Sequence, residues 1–192
     1  IGKDYSLGGI TLLCRFDGQR VTMASQMSEA DETVSSLYSV KSEQATMLSF
    51  DTYNYLVHYF GQPQGSMSDD PNGTLGGDYE FIISSASAER IELKGKKYGN
   101  RIVMKALTED QTWKQYLTKI KKVEDDAFFY EYDLLMDGLY TGQMIRSNYT
   151  FIVTYYDEIG KVHQKTVPFM FTADGLRFHE PVTIDGQTMQ NF

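Results

Sequence analysis

The side chains able to ligate a metal or move a proton are few. There are three histidines, His58, His163 and His179, one cysteine, Cys14, and several paired carboxylates. Metal hydrolases place two histidines one helical turn apart so that both reach one ion; these three are spread too widely for that pattern. Cys14 sits in Leu12-Leu13-Cys14-Arg15-Phe16 with no histidine near it to draw off its proton, so it reads as a strand residue and not a nucleophile. The G-x-S-x-G turn of hydrolases is not found, and Gly76-Gly77 leads into a strand where a phosphate loop would open a helix. Glu124, Asp125 and Asp126 close a helix and read as solvated charge. Asp78 and Glu80 stand two apart on a strand, which points both to one polar face and turns Tyr79 and Phe81 inward. No catalytic residue and no cofactor is assigned from these patterns.

Two constellations remain. Asp70, Asn72 and Gly73 fit three consecutive ligand and turn positions of a calcium loop, but its closing bidentate carboxylate falls on Tyr79. A non-standard calcium site would draw on Asp69, Asp70, Asn72 and Asp78. The second constellation is aromatic. The chain holds 14 Tyr and 11 Phe, and such rings stack on sugar faces and give rigid contact area to partners. On a short helix, Tyr55, His58 and Tyr59 project away from the apolar face, with Asn54 one turn before His58. With Asp69 and Asp70 in the loop that follows, they form the expected ligand-binding rim.

These residues need a scaffold, and the period-2 pattern predicts mostly strands. Asp17-Gly18, Asp174-Gly175 and Asp185-Gly186 are hairpin signals. Strands are expected at 10–16, 21–25, 37–40, 46–50, 79–83, 91–93, 102–104, 128–135, 149–156 and 162–171, with short ones at 176–178 and near the end. Pro168 should place its strand at an edge or a bulge. Asp51 or Thr52 would cap a helix whose apolar face is Tyr53, Leu56, Val57 and Phe60, stopped by Gly61. Thr108 with Gln111 reads as a capping box for a longer helix over 109–124, carrying Trp113, Tyr116, Leu117 and Ile120 on one side. The segment 62–77 reads as a surface loop. The class is mainly β, a β-rich α+β fold: an antiparallel meander, sandwich or partly open barrel. A single domain over 1–192 is expected, with a faint internal echo of two β lobes, 1–108 and 127–192, linked by the helix 109–126.

With 192 residues and 41% hydrophobic content, the chain can bury a core without disulfides. No run is apolar for long enough to span a bilayer as a helix. Lys+Arg is 18 against Asp+Glu 26, a net charge of -8, which disfavours nucleic acid as a partner. The basic groups Lys94, Lys96, Lys97, Arg101 and Lys105, and Lys114, Lys119, Lys121 and Lys122, read as solvated hairpin and helix faces.

Three motifs occur in order: Leu48-Ser49-Phe50-Asp51-Thr52-Tyr53-Asn54 with His58 after it; Gly76 to Phe81 with Ile91 to Asn100; and Phe171 to Pro181. Together they resemble an uncharacterised family of Bacteroidetes lipoproteins, classified only as a domain of unknown function. The resemblance implies export, an outer-membrane lipid anchor on a cysteine upstream of this chain, and genes often beside nutrient-uptake components and a predicted metallopeptidase. It implies no catalytic residues. The function expected from these readings is a non-enzymatic accessory or binding protein of the cell envelope, taking a glycan or protein ligand at the cell surface. Two alternatives stand beside it: a barrel-like carrier of a small apolar ligand or porphyrin, which needs small inward-facing residues, and a hydrolase whose carboxylates and histidines meet only on folding.

Overall fold

The computed structural model describes residues 1–2, 5–42, 44–63, 73–107, 111–127, 130–136, 138–157, 159–184 and 186–191. The class is mainly β, with two curled antiparallel sheets, each a half-barrel, and two helices. The first sheet holds β1 (Leu12–Asp17), β2 (Arg20–Ser25), β3 (Val34–Ser42), β4 (Thr46–Phe50), β5 (Glu80–Ala86), β6 (Arg90–Gly95) and β7 (Arg101–Lys105), paired in chain order; α1 (Tyr55–His58) lies between β4 and β5 in sequence. After α2 (Trp113–Asp126) comes the second sheet: β8 (Glu131–Met136), β9 (Leu139–Ser147), β10 (Thr150–Tyr156), β11 (Val162–Thr172), β12 (Gly175–Ile184) and β13 (Gln187–Asn191), again in chain order. The chain forms two compact units, one of Ile1–Asp4 with Leu12–Leu117, the other of Tyr5–Thr11 with Thr118–Phe192.

The hairpins follow from their turn residues. Asp17 pairs with Arg20, so the two-residue loop is Gly18-Gln19, one residue later than expected. Gly18 takes φ 56, a left-handed angle that glycine reaches without strain at the first turn position. Strand β9 escapes the sequence pattern. Gly142 interrupts its alternation, because a Cβ there would run into the Thr154 carbonyl of β10. Pro168 does not lie on an edge strand, since β11 runs between β10 and β12. The Phe169 N–H donates to the Tyr149 carbonyl at 2.9 Å, so alternation turns the Pro168 nitrogen toward β12. That ladder has already ended at the Phe169–Phe178 pair, and no donor is missed there.

Both helices start elsewhere than the patterns suggest. The box that begins α2 is Thr112 with Gln115, one turn after the expected pair: the Gln115 N–H donates to Thr112 Oγ1 at 3.2 Å, and the Thr112 N–H to Gln115 Oε1 at 2.9 Å. Thr108 lies outside the described residues. Leu117 and Ile120 are fully buried, as their spacing predicts. In the first unit, Arg15 lies over the Trp113 ring, 5.9 Å from its centre. Thr112→Ala is expected to destabilise α2 by about 1 kcal/mol, with Thr112→Ser close to wild type; urea midpoints of the two variants check this.

Large side chains fill the inner faces. In the first unit Val21, Met23, Leu48, Phe50, Leu56, Val57, Phe81 and Leu93 form one cluster. In the second, Phe151 stacks on Phe169 at 4.5 Å, and Phe171 and Phe178 meet them edge-on. A carrier would need small residues at these inward positions. Cys14 packs against the first cluster, and burial pushes its thiol up to about 12, which leaves almost no thiolate at neutral pH.

Candidate functional site

The site is built around the start of α1. Asn54 is the N-cap: its Oδ1 accepts the Leu56 N–H at 3.2 Å. Its Nδ2 donates to Ser36 Oγ at 3.2 Å and to the Met23 sulfur at 3.3 Å. A cap at Asn54 makes Tyr53 the residue before the cap and His58 the fourth helical position, the two places joined by a hydrophobic staple. Here the staple is aromatic, with ring centres 5.5 Å apart. Leu56 and Val57 drive the helix into the core, and His58 Nδ1 lies 3.0 Å from the Asn54 carbonyl. The His58 ring is therefore held by the cap itself.

Tyr79 completes the set. It stacks on His58 at 4.9 Å with planes 16° apart. Two glycines allow this approach. The Gly77 N–H donates to the Phe60 carbonyl at 2.9 Å, and a Cβ on Gly77 would collide with Phe60. A Cβ on Gly61 would sit 3.0 Å from the Gly77 carbonyl oxygen and 3.3 Å from the Tyr79 ring. The outer rings stay open, Tyr53 at 62% and Tyr79 at 44% exposure. The Tyr53 hydroxyl donates to Gln62 Oε1 at 3.0 Å, which pins the ring and sets an amide at its rim.

Beneath Tyr79 lies a buried carboxylate. Asp78 Oδ1 accepts the N–H groups of Lys97 at 2.8 Å and Tyr98 at 3.0 Å. Its Oδ2 accepts the Asn100 N–H at 3.1 Å and Asn100 Nδ2 at 2.7 Å. Asn100 Nδ2 also donates to the Gly76 carbonyl at 2.6 Å. Gly95 leaves the room, because a Cβ there would strike the carboxylate. Asp78 thus fastens the β6–β7 turn to the segment that carries Tyr79. It corrects one expectation: Asp78 is buried and not on a polar strand face, with both of its oxygens accepting N–H groups.

Of the other rim residues, Asn54 is fully buried with its amide committed, so it positions the site without facing a ligand. Tyr55 turns aside to donate to Glu32 at 2.8 Å. Tyr59 meets Phe60 edge-on, 5.3 Å away. His58 is the one expected residue that joins the ring set. Asp69, Asp70 and Asn72 lie outside the described residues. The sequence patterns do not pick out Tyr53, Tyr79 or Gln62 for this ring set. A cap at Asp51 or Thr52 puts Tyr53 on the helix's apolar face. Once Asn54 is taken as the cap, the staple rule finds Tyr53. Tyr79 precedes β5, so strand alternation does not govern its exposure.

A family model for a domain of unknown function, DUF4302, matches residues 1–192. The chain belongs to the DUF4302 family. No curated protein and no solved structure matches it.

The remaining histidines of this DUF4302 chain stand in its second unit. The His179 ring packs against Tyr5, with centres 3.8 Å apart and planes tilted by 33°. His163 stacks on Tyr155 at 5.2 Å and shares a hydrogen bond of 2.8 Å between its Nε2 and Asp157 Oδ2. The other oxygen, Asp157 Oδ1, accepts the Ile159 and Lys161 N–H groups and closes the β10–β11 turn. Among the described residues no group of three or more His, Cys, Asp or Glu side chains is placed to hold a metal ion. The His163 hydrogen bond, then that of the Lys161 backbone, holds the Asp157 carboxyl below its ordinary value. A depressed folded value adds stability above the unfolded value of about 4, and that stability is lost as pH falls through the folded value. The gap in unfolding midpoint between wild type and Asp157→Asn is therefore expected to close as pH falls from about 5 toward 2. A gap that widened on acidification would contradict the assignment.

Proposed function

We propose that this DUF4302 protein is a non-enzymatic binding component of the bacterial cell envelope that holds a glycan through Tyr53, His58 and Tyr79. The observation that carries the reading is the open, pre-positioned ring set. Exposed aromatic faces are costly to leave in water unless something covers them, and a sugar's C–H face covers a ring while its hydroxyls keep hydrogen-bond partners. Gln62 offers an amide beside the Tyr53 ring for such a hydroxyl. The rings need little reorganisation on binding, because the cap fixes His58 and the two glycines fix Tyr79. The envelope location and a lipid anchor upstream of Ile1 rest on the family resemblance; recovery of the full-length protein in the membrane fraction after palmitate labelling tests them.

The binding test is a screen of neutral glycans followed by titration. Tyr53→Ala combined with Tyr79→Ala is expected to weaken binding of any hit by roughly tenfold or more, since each lost ring contact is worth about 0.5–1.5 kcal/mol. Tyr55→Phe, which keeps its ring outside the set, should leave binding unchanged. Undiminished binding by the double variant would end the proposal.

A further inference from the structure

The face of β6 and β7 turned away from the core concentrates positive charge in a chain whose net charge is -8. Leu93 lies in the core, and Ile91, Ile102 and Met104 pack against it. Alternation therefore turns Arg90, Glu92, Lys94, Arg101, Val103 and Lys105 to the opposite side. The register sets Arg90 across from Lys105 and Lys94 across from Arg101, with Glu92 facing Val103 between them. Like charges directly opposite one another work against a sheet, and here two such pairs are kept. The one carboxylate on this face of the two strands reaches two of the four cations: Glu92 Oε1 lies 2.7 Å from Arg90 Nη2 and 3.6 Å from Arg101 Nη2. Among the described residues neither Lys94 nor Lys105 has a carboxylate within ion-pair distance. On the neighbouring strand Ile82 faces Lys94 and Ser85 faces Glu92, and Glu80, two residues before Ile82, is paired with Lys96 at 3.2 Å. Lys94, Arg101, Val103 and Lys105 are exposed, and β7 ends the sheet.

We propose that this face binds an acidic polysaccharide, a linear chain carrying carboxylate or sulfate groups. The two cation pairs lie four residues apart along β6, about 13 Å at strand rise, a span that suits a polyanion bridging both and exceeds one small anion. Arg101 supplies a planar fork for carboxylate or sulfate oxygens, while Arg90 adds charge with its Nε and Nη2 donating to Glu92. The six side chains of the face include no aromatic or methionine anchor of the kind that dominates protein interfaces. They include no ring on which a nucleic-acid base could stack and no cluster of large apolar groups to enter a bilayer. The face is separate from the ring set, which belongs to the α1 side of the sheet, where Leu56 and Val57 enter the core.

The test is retardation of the intact chain in gels containing polygalacturonate or heparin, with uncharged dextran, single-stranded DNA and phosphatidylglycerol vesicles as parallel arms. Wild type is expected to be retarded by the acidic polysaccharides at about 50 mM salt and released by about 0.5 M. Lys94→Glu with Lys105→Glu should weaken this at least tenfold, with an unfolding midpoint at or above wild type because the like-charge pairs are gone. Lys105→Gln, which removes a charge without reversing it, should weaken retardation several-fold and serves if the double variant misfolds. The Tyr53→Ala, Tyr79→Ala variant should be retarded as wild type, so failure here and failure of the ring site are told apart. Absence of retardation, wild-type retardation of both lysine variants, or equal binding to DNA or vesicles would overturn the proposal.

Discussion

Asp78→Ala is expected to destabilise the first unit by about 4 kcal/mol, more than any other single polar change in it. The carboxylate receives four N–H groups from Lys97, Tyr98 and Asn100, three of them backbone donors. Removal takes the carboxylate acceptor from the Lys97, Tyr98 and Asn100 backbone N–H groups and leaves Asn100 Nδ2 only the Gly76 carbonyl, and a hydrogen bond to a charged acceptor is worth about 1.5–3 kcal/mol where it is lost. Asp78→Asn should be nearly as harmful: its amide would present N–H groups to the Asn100 donors now bound at Oδ2. The effect also reaches the rings, because Asp78 anchors the residue before Tyr79. Urea unfolding read at the first unit's transition measures the stability, and hydrogen exchange at the Lys97, Tyr98 and Asn100 amides locates it. A loss below about 1 kcal/mol for Asp78→Ala would show that the turn stands without its carboxylate.

Gly8→Ala should destabilise the second unit by about 3–4 kcal/mol. Gly8 has φ 63, and a Cβ there would strike Tyr149 Cβ and lie 2.5 Å and 2.6 Å from the carbonyl oxygens of Tyr149 and Phe169. The Phe169 oxygen belongs to β11 and the Tyr149 oxygen to the β9–β10 turn, where it accepts the Phe169 N–H, so the N-terminal segment must yield. It would give up the Gly9 N–H bond to the Phe169 carbonyl, now 2.9 Å, and with it the Tyr5–His179 ring contact. Gly18 is the control. It has nearly the same angle, φ 56, but nothing within 4 Å of an added Cβ, so Gly18→Ala should cost only the left-handed strain of about 1–2 kcal/mol. Equal losses at the two positions would mean that the angle, and not the close packing, decides. Exchange at the Gly9 amide should rise in Gly8→Ala alone.

Much of the architecture was written locally. Strand periodicity marked most of the sheets, because side chains on a pleated ribbon must alternate between core and water wherever one face is buried. Hairpin glycines marked the reversals to within a residue, and Leu117 and Ile120 marked the buried side of α2. Caps were harder. Thr108-x-x-Gln111 and Thr112-x-x-Gln115 are equal as patterns, and the choice between Asp51, Thr52 and Asn54 for α1 falls to the residue whose side chain also reaches Ser36 and Met23 across the core.

The sequence by itself determined the mainly β class, the antiparallel order implied by short turns, and a surplus of aromatic rings over reactive groups. Only the tertiary structure decided which rings meet. Tyr53, His58 and Tyr79 come together because glycines at 61 and 77 let two distant segments touch, and no local period encodes a contact across such a stretch. The same holds for the cations of β6 and β7: in the sequence they are a scattered basic run, and the pairing register alone sets them opposite one another. Local patterns report which way a side chain points; which neighbour it finds there depends on strand register and backbone clearance, and both are fixed by the packing of the whole unit.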